Sequence, residues 1–374
     1  MREVLFVAGE ASGDLHASGV ARELTARGAP FALVGVGGDR MRDAGVTLLE
    51  HADTMAVMGF VEVLRHLPRH WALLRRLEAR IRGGQVALVV LIDYPGFNMK
   101  IAKIAASAGV PVLYYITPQV WAWGAGRLDK LARWVTRAAV ILPFEQELLA
   151  AHHIDATFVG HPLLDGAAHM PDRAAARATL GLRDDAPVLA LFPGSREQEI
   201  LRHLDDFVRV ADELRRRDPR LQVVVSVAPT VALDPAKCPF PMVHSASFTV
   251  LRAADAAMCK SGTTTLEAAV AGCPLVVAYR TSAITFALAK RLVKIPHIGL
   301  VNVVAGRSVA PEFVQDALQP AAVADALEPL LRTDSPERAA MLLGLADVRA
   351  ALGTPGAAGR VADMAATLAA AGAA

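Results

Sequence analysis

Cysteine is nearly absent from this chain: there are three in 374 residues, Cys238, Cys259 and Cys273, without the paired spacing of a zinc site or a disulfide framework. They read as reduced core thiols in a cytoplasmic protein. No apolar run approaches the ~20 residues of a membrane span; the strongest, Val86 to Ile92, has the length of a strand. The N-terminus carries one Arg and the short run Val4 to Ala8 before it meets Glu10 and Asp14, the pattern of a buried strand and not of a secretory signal. Net charge is only +2, so no global field recruits nucleic acid and no nucleic-acid partner is expected. Asp-x-Asp occurs nowhere, which disfavours a metal-chelated diphosphate. The HxxxH pair His66 and His70 has Pro68 between its members and no HExxH glutamate. No metal site and no cofactor are expected, and no repeat of solenoid period is visible.

What is present is alternation. Strand-type runs at Val4 to Val7, Phe31 to Val36, Val86 to Ile92, Pro111 to Ile116, Ala138 to Leu142 and Thr157 to Val159 are separated by helical stretches. A second series runs through Val188 to Phe192, Gln222 to Val227, Met242 to His244, Ala256 to Cys259 and Leu275 to Tyr279. Such alternation predicts parallel, doubly wound α/β sheets, and the length predicts about two domains at ~150 residues each. The reading is two Rossmann-like domains facing across a cleft. Their expected extents are 1–165 and 166–340, followed by an alanine-rich helical tail, 341–374, packing back onto the first domain.

The segment Ala254 to Arg280 is the most informative. An apolar strand runs into Ser261-Gly262-Thr263-Thr264, then a small-residue helix, then a second strand. A strand ending in such a turn aims free N–H groups and the positive end of the next helix at a phosphate. Glu267, in the first helical turn, suits sugar hydroxyls better than a phosphate; a plain βαβ unit with a Thr cap and a capping-box Glu would read the same. Phe192-Pro193-Gly194-Ser195-Arg196 has the same form, with a guanidinium for bidentate contact. The stretch from Gly9 to Asp14 follows the first strand, where open sheets place ligands. Its carboxylates, Glu10 and Asp14, fit sugar hydroxyls or proton transfer, or else a tight turn with Asp14 as a cap. Asp93, at the end of the most apolar strand, is either a general base raised in pKa by partial burial or an Asx-turn residue before Tyr94-Pro95-Gly96. Trp121 and Trp123 form either core or a sugar- or acyl-contacting wall. The stretch from Val57 to Leu77 combines Met58, Phe60, Val61 and Leu64 with Arg65, His66, Arg69, Arg75 and Arg76, and Pro68 is expected to split it into two helices. That pattern suits an anionic bilayer surface or ordinary amphipathic helices.

Taken together, GEASGD, AVMGFVEVL (Ala56 to Leu64), IDYPGFN, TPQVWAW, LPFE (Leu142 to Glu145), GHPLLD, FPGSR, KSGTTTLEA, AKRLVK (Ala289 to Lys294) and VNVVAGR (Val301 to Arg307) closely resemble the lipid-A-disaccharide synthase family. The resemblance spans nearly the whole chain and implies the GT-B glycosyltransferase architecture. It also implies transfer of 2,3-diacylglucosamine from its UDP donor to the 6-hydroxyl of 2,3-diacylglucosamine 1-phosphate (lipid X), giving UDP and a β(1→6) disaccharide 1-phosphate. By motif position Asp93, Arg196, Glu267 and Asn302 correspond to residues the family treats as functional, and Glu10, Ser12 and Asp14 to its N-terminal loop. The implied catalytic set is Asp93, Arg196, Glu10 and Asp14. The implied donor set is Gly194, Ser195, Arg196, Ser261, Gly262, Thr263, Thr264, Glu267 and Asn302. Ser12, Met58, Phe60, Val61 and Leu64 are expected to meet the acceptor or the membrane. The implied setting is the cytoplasmic face of the inner membrane, peripherally bound, with a homodimer as a further expected partner state. Where many members have a second acidic residue in the strand-end motif, this chain has Gly96. Epimerases and lipid-intermediate transferases of the same architecture, or a non-catalytic nucleotide-sugar or membrane-surface binder, are the competing readings.

Overall fold

The computed structural model describes all residues except 55–59, 122–124, 229–230, 232, 283–285, 287–295 and 374. The chain divides into two compact units, Met1–Pro162 with Thr354–Ala374, and Leu163–Gly353.

The first unit contains strands β1 (Glu3–Ala8), β2 (Ala32–Gly37), β3 (Thr47–His51), β4 (Val86–Ile92), β5 (Val112–Tyr115), β6 (Arg137–Val140) and β7 (Ala156–Phe158). They form one parallel sheet in the order β3-β2-β1-β4-β5-β6-β7. β1 and β4 are buried along their whole length because helices cover both faces. Leu5 and Val7 join a core with Leu77, Ile81, Phe97 and Ile101, from α3 (Phe60–Arg82) and α4 (Pro95–Ser107). Val4, Phe6 and Ala8 point the other way, onto Val20 and Leu24 of α1 (Ala11–Ala26) and onto Val361 and Ala365 of the last helix. Each such aliphatic side chain contributes about 1.5–3 kcal/mol on full burial, so these strands are a rigid base for the loops at their ends.

Pro68 does not split α3, which runs unbroken from Phe60 to Arg82. A proline inside a helix removes one backbone hydrogen bond and costs roughly 3 kcal/mol. Burial of Leu73, Leu74, Leu77 and Ile81 later in the same helix offsets that cost.

The second unit holds β8 (Val188–Phe192), β9 (Gln222–Val227), β10 (Met242–His244), β11 (Ala256–Lys260), β12 (Leu275–Tyr279) and β13 (Glu312–Val314), parallel and ordered β10-β9-β8-β11-β12-β13. Around them lie α8 (Arg173–Leu180), α9 (Glu197–Arg217), α10 (Ser247–Ala253), α11 (Thr264–Ala271), α12 (Leu300–Ala305), α13 (Pro320–Leu331) and α14 (Pro336–Ala351). α14 packs on α11 and α12 through a face that includes buried Met341, Leu345 and Val348. This corrects the expected tail: the stretch from 341 to Gly353 belongs to the second unit, and only α15 (Ala357–Ala373) packs on α1 and β4 of the first. No helix among the described residues is long and apolar enough to cross a membrane.

Candidate active site

In an open parallel sheet, ligands bind at the carboxyl ends of the two central strands from which the chain winds in opposite directions. In the first unit those strands are β1 and β4. Their following loops carry Glu10 and Asp93.

Asp93 and Tyr94 both have left-handed backbone, φ 46° and 47°. Two successive non-glycine residues there cost of the order of 1–3 kcal/mol each. Buried Asn98 offsets this by donating from Nδ2 to the carbonyls of Asp93 (2.8 Å), Ile92 (3.1 Å) and Val7 (3.3 Å), while the Tyr114 hydroxyl also donates to Asp93 O (2.9 Å). The Tyr94 ring lies so close over Gly9 that a Cβ there would run into it, which requires glycine at the start of the β1 loop. Burial and the Glu10 charge raise the Tyr94 phenol, and burial and the Asp93 charge raise that of Tyr114. The two carboxylates are therefore electrostatic neighbours of these two tyrosines. Gly96 is exposed in the first turn of α4, with nothing within 4 Å of a Cβ placed on it.

Asp14, expected as a catalytic candidate, is instead a structural cap. It is buried, and its oxygens accept from the N–H groups of Gly38 (2.7 Å), Met41 (3.0 Å) and Arg40 (3.2 Å) at the start of α2 (Asp39–Asp43). Three charge-assisted bonds leave little of this carboxylate for proton transfer. Ser12 is exposed in the first turn of α1.

The same sheet end holds polar groups outside the catalytic and donor sets expected from the sequence. Glu145 is buried, and its carboxylate accepts from the Trp121 indole (3.1 Å) and the Leu142 N–H (3.1 Å); burial pushes its pKa up to about 7 against those bonds. Trp121 also meets the Phe144 ring edge-on at 5.4 Å. Trp121 is thus tied down by a hydrogen bond as well as by packing, while Trp123 lies outside the described residues. Burial lowers His16 to about 4, and burial with the neighbouring His16 lowers His161 to about 4, so both imidazoles are neutral near pH 7. An imidazole that weakly basic is poorly matched to general-base work at neutral pH.

In the second unit the central pair is β8 and β11, and the two loops singled out in the sequence follow them. Gly194 has φ 145°, and a Cβ on it would lie 2.6 Å from that of Glu199. Glu199 then organises the turn. Its carboxylate accepts from Ser195 N (3.0 Å) and Lys260 Nζ (2.8 Å) and lies 3.7 Å from the guanidinium of Arg196, the exposed N-cap residue of α9. Burial opposes the Glu199 charge, but the Lys260 bond and charge, the Ser195 N–H and Arg196 hold its pKa below the ordinary value.

After β11, Gly262 (φ 155°) turns the chain into α11. Thr263 sits at the N-cap without a side-chain cap bond, Thr264 begins the helix, and Thr265 Oγ1 donates to Gly262 O (2.8 Å). The Ser261 hydroxyl donates to Ile298 O (2.7 Å). Burial raises the Glu267 carboxyl, opposed by a hydrogen bond from Ser247.

Asn302, expected among the donor-binding residues, is fully buried and spent within the protein. It donates to Ala310 O (2.7 Å) and Glu312 Oε1 (2.8 Å) and accepts from Val309 N (2.8 Å) and Ala310 N (2.9 Å). Glu312 in turn accepts from Ile298 N (3.0 Å) and Gly299 N (2.9 Å). Asn302 is therefore a positioning residue, fixing the strand of chain against which Ser261 is set.

Met58 and the AKRLVK segment Ala289 to Lys294 lie outside the described residues, while Phe60, Val61 and Leu64 fall on the first turns of α3. Among the described residues no three His, Cys, Asp or Glu side chains group as metal ligands.

A family model described as lipid-A-disaccharide synthetase matches residues 4–349. The chain belongs to the lipid-A-disaccharide synthase family. Curated lipid-A-disaccharide synthases include one from Trichlorobacter lovleyi, 42% identical over 97% of this chain and 96% of its own. Another, from Syntrophotalea carbinolica, is 40% identical over 97% of this chain and 94% of its own. Among solved structures, the calicheamicin glycosyltransferase superposes with a TM-score of 0.63 at 20% identity over 98% of both chains. The UDP-GlcNAc 2-epimerase of Neisseria meningitidis, bound to UDP-GlcNAc, does so at 0.57 and 12% over 98% of this chain and 99% of its own. Those likenesses are of fold, the GT-B arrangement of two parallel α/β units. Lipid-A-disaccharide synthase membership separates this enzyme from the epimerases of similar fold.

Proposed function

We propose that this chain is an inverting glycosyltransferase that joins UDP-2,3-diacylglucosamine to 2,3-diacylglucosamine 1-phosphate, giving the β(1→6) disaccharide 1-phosphate and UDP. The observation that carries the reading is what stands at the two sheet ends: Glu10 and Asp93 beside Tyr94 and Tyr114 on the first unit, and Arg196, Lys260 and the opening of α11 gathered around Glu199 on the second. Acceptor and base are assigned to the first unit, the UDP moiety to the second. The acceptor 6-hydroxyl oxygen attacks the donor C1, the C1–O bond to UDP breaks, and the hydroxyl proton passes to Asp93. Negative charge developing on the leaving diphosphate is met by Arg196 and the Ser261-to-Thr264 turn, while Glu267 binds the ribose diol.

The direct test is release of UDP on mixing the two glycolipids, with either one alone giving none. Arg196→Ala is expected to remove a charge-assisted contact of about 1.5–3 kcal/mol, a loss of roughly 10- to 150-fold in kcat/KM. Unchanged kcat/KM places Arg196 outside the site.

Peripheral attachment to the inner face of the inner membrane belongs to the same reading. It is supported by Trp71, 53% exposed on α3, with Lys100 over its ring at 5.2 Å and Arg69 and Arg75 exposed nearby in sequence. An amphipathic ring with basic neighbours is what an anionic headgroup layer takes up. Binding to anionic liposomes is expected to weaken as salt is raised above 0.15 M, where screening acts over about 8 Å, and in Trp71→Ser. Salt-independent binding that ignores Trp71 sinks the assignment.

A further inference from the structure

Lys260 is the last residue of β11, one position beyond the Cys259–Phe192 pairing with β8, so its side chain leaves the sheet between the two loops assigned to UDP. Its Nζ donates to Glu199 (2.8 Å), lies 5.8 Å from the centre of the Tyr279 ring, and is 3.9 Å from where a Cβ on Gly262 would stand. The ammonium is thus held directly beside the glycine turn that opens α11. Holding a lysine this way has a cost: its side chain gives up rotamer freedom, and it is only 17% exposed. One carboxylate, Glu199, serves Lys260, the Ser195 N–H and Arg196 together. Lys260 thus brings a cation next to the positive end of α11, where a bound diphosphate would meet both the ammonium and the free helix N–H groups.

We propose that Lys260 is a further catalytic residue of the donor half, its ammonium turning from Glu199 to a diphosphate oxygen and meeting the charge that develops as UDP departs. Glu199 holds the ammonium beside the turn, and with a diphosphate bound it continues to hold Ser195 and Arg196. The assignment rests on the reading of the second unit as the UDP side.

The test is calorimetric titration of the whole chain with UDP and with uridine, for wild type, Lys260→Met, which keeps the apolar stem, and Lys260→Arg, together with steady-state kinetics. Wild type is expected to bind UDP. Lys260→Met is expected to weaken UDP by roughly 10- to 150-fold, the worth of a hydrogen bond to a charged group, and to leave uridine affinity unchanged. Its kcat should fall by more than its donor KM rises, because the contact strengthens in the transition state, and Lys260→Arg should restore part of both. Equal UDP affinity and kcat/KM in Lys260→Met overturn the proposal while the UDP assignment stands. Equal loss of UDP and uridine with a lowered Tm makes Lys260 a structural residue and overturns it too. Failure of the wild-type chain to bind UDP removes the donor-side reading and the proposal with it.

Discussion

Asp93→Asn is expected to lower kcat by roughly 10²–10⁴, the usual worth of a positioned general base, with UDP affinity near that of wild type because UDP is assigned to the other unit. The substitution is chemically narrow. The left-handed backbone at Asp93 is held by bonds to its carbonyl from Asn98 and Tyr114, and the amide keeps the shape of the carboxylate it replaces. What the amide cannot do is accept a proton. The acidic limb of the kcat pH profile should therefore vanish along with the rate. Glu10→Gln is the comparison that separates the two carboxylates, and Gly96→Asp tests whether a second acid in the Asp93 loop adds anything. The space around Gly96 is open, so that variant should fold as wild type does. If Asp93→Asn keeps more than about a tenth of wild-type kcat, a loss short of the general-base range, Asp93 is a turn residue and Glu10 inherits the role. Asp14 does not, because its oxygens are already committed to α2.

The parts of this site that could be read from sequence are those in which function follows from backbone position. Buried parallel strands are nearly continuous apolar runs, so β1, β4, β8 and β11 announce themselves, and the loops after them are found by counting forward. β3 and β13 are not legible in the sequence because both are short edge strands, half-exposed along most of their length, with no apolar run to mark them. Partners are a different matter. Asp14 and Asn302 have the residue type of ligand-contacting groups, but what they bind is backbone brought in from Gly38 to Met41 and from Val309 to Ala310. Nothing local distinguishes a carboxylate facing solvent from one capping a distant helix. Glu199 reads as a surface acid in the first turn of an amphipathic helix until Lys260 arrives from another strand. Lys260 did leave a trace, a charge closing an otherwise apolar strand just before a glycine turn, and Glu145 left a weaker one in the LPFE motif.

The largest stability effect is expected at the opposite end of the second sheet. Arg177 is 1% exposed and distributes its donors over Ala253 O (3.0 Å), Arg183 O (2.9 Å), Asp184 O (2.9 Å), Ala186 O (3.2 Å) and Asp255 Oδ2 (2.8 Å). Asp255 also accepts from Arg173 (2.5 Å) and from Val188 N (2.8 Å). One guanidinium thereby sews together the segments that enter β8 and β11, the two strands whose far ends carry Arg196 and Lys260. Arg177→Ala leaves several buried carbonyls short of donors and Asp255 with only part of its compensation. Removing one member of a buried pair typically costs about 3–5 kcal/mol, on the order of 6–20 °C in Tm for a unit of this size. Circular dichroism should report that shift. All four tryptophans, Trp71, Trp121, Trp123 and Trp134, lie in the first unit, so their fluorescence is an internal reference for it. Arg177→Met with Asp255→Leu removes the uncompensated charge as well as its partner, and should recover part of the loss but not all, because the carbonyls of Ala253 and of Arg183 to Ala186 still lack their donor. A midpoint that moves no more than an exposed arginine's would, within about 0.5 kcal/mol, means that this network does not hold the second unit together, and the rigidity of the loops that carry Arg196 and Lys260 must then come from strand packing alone.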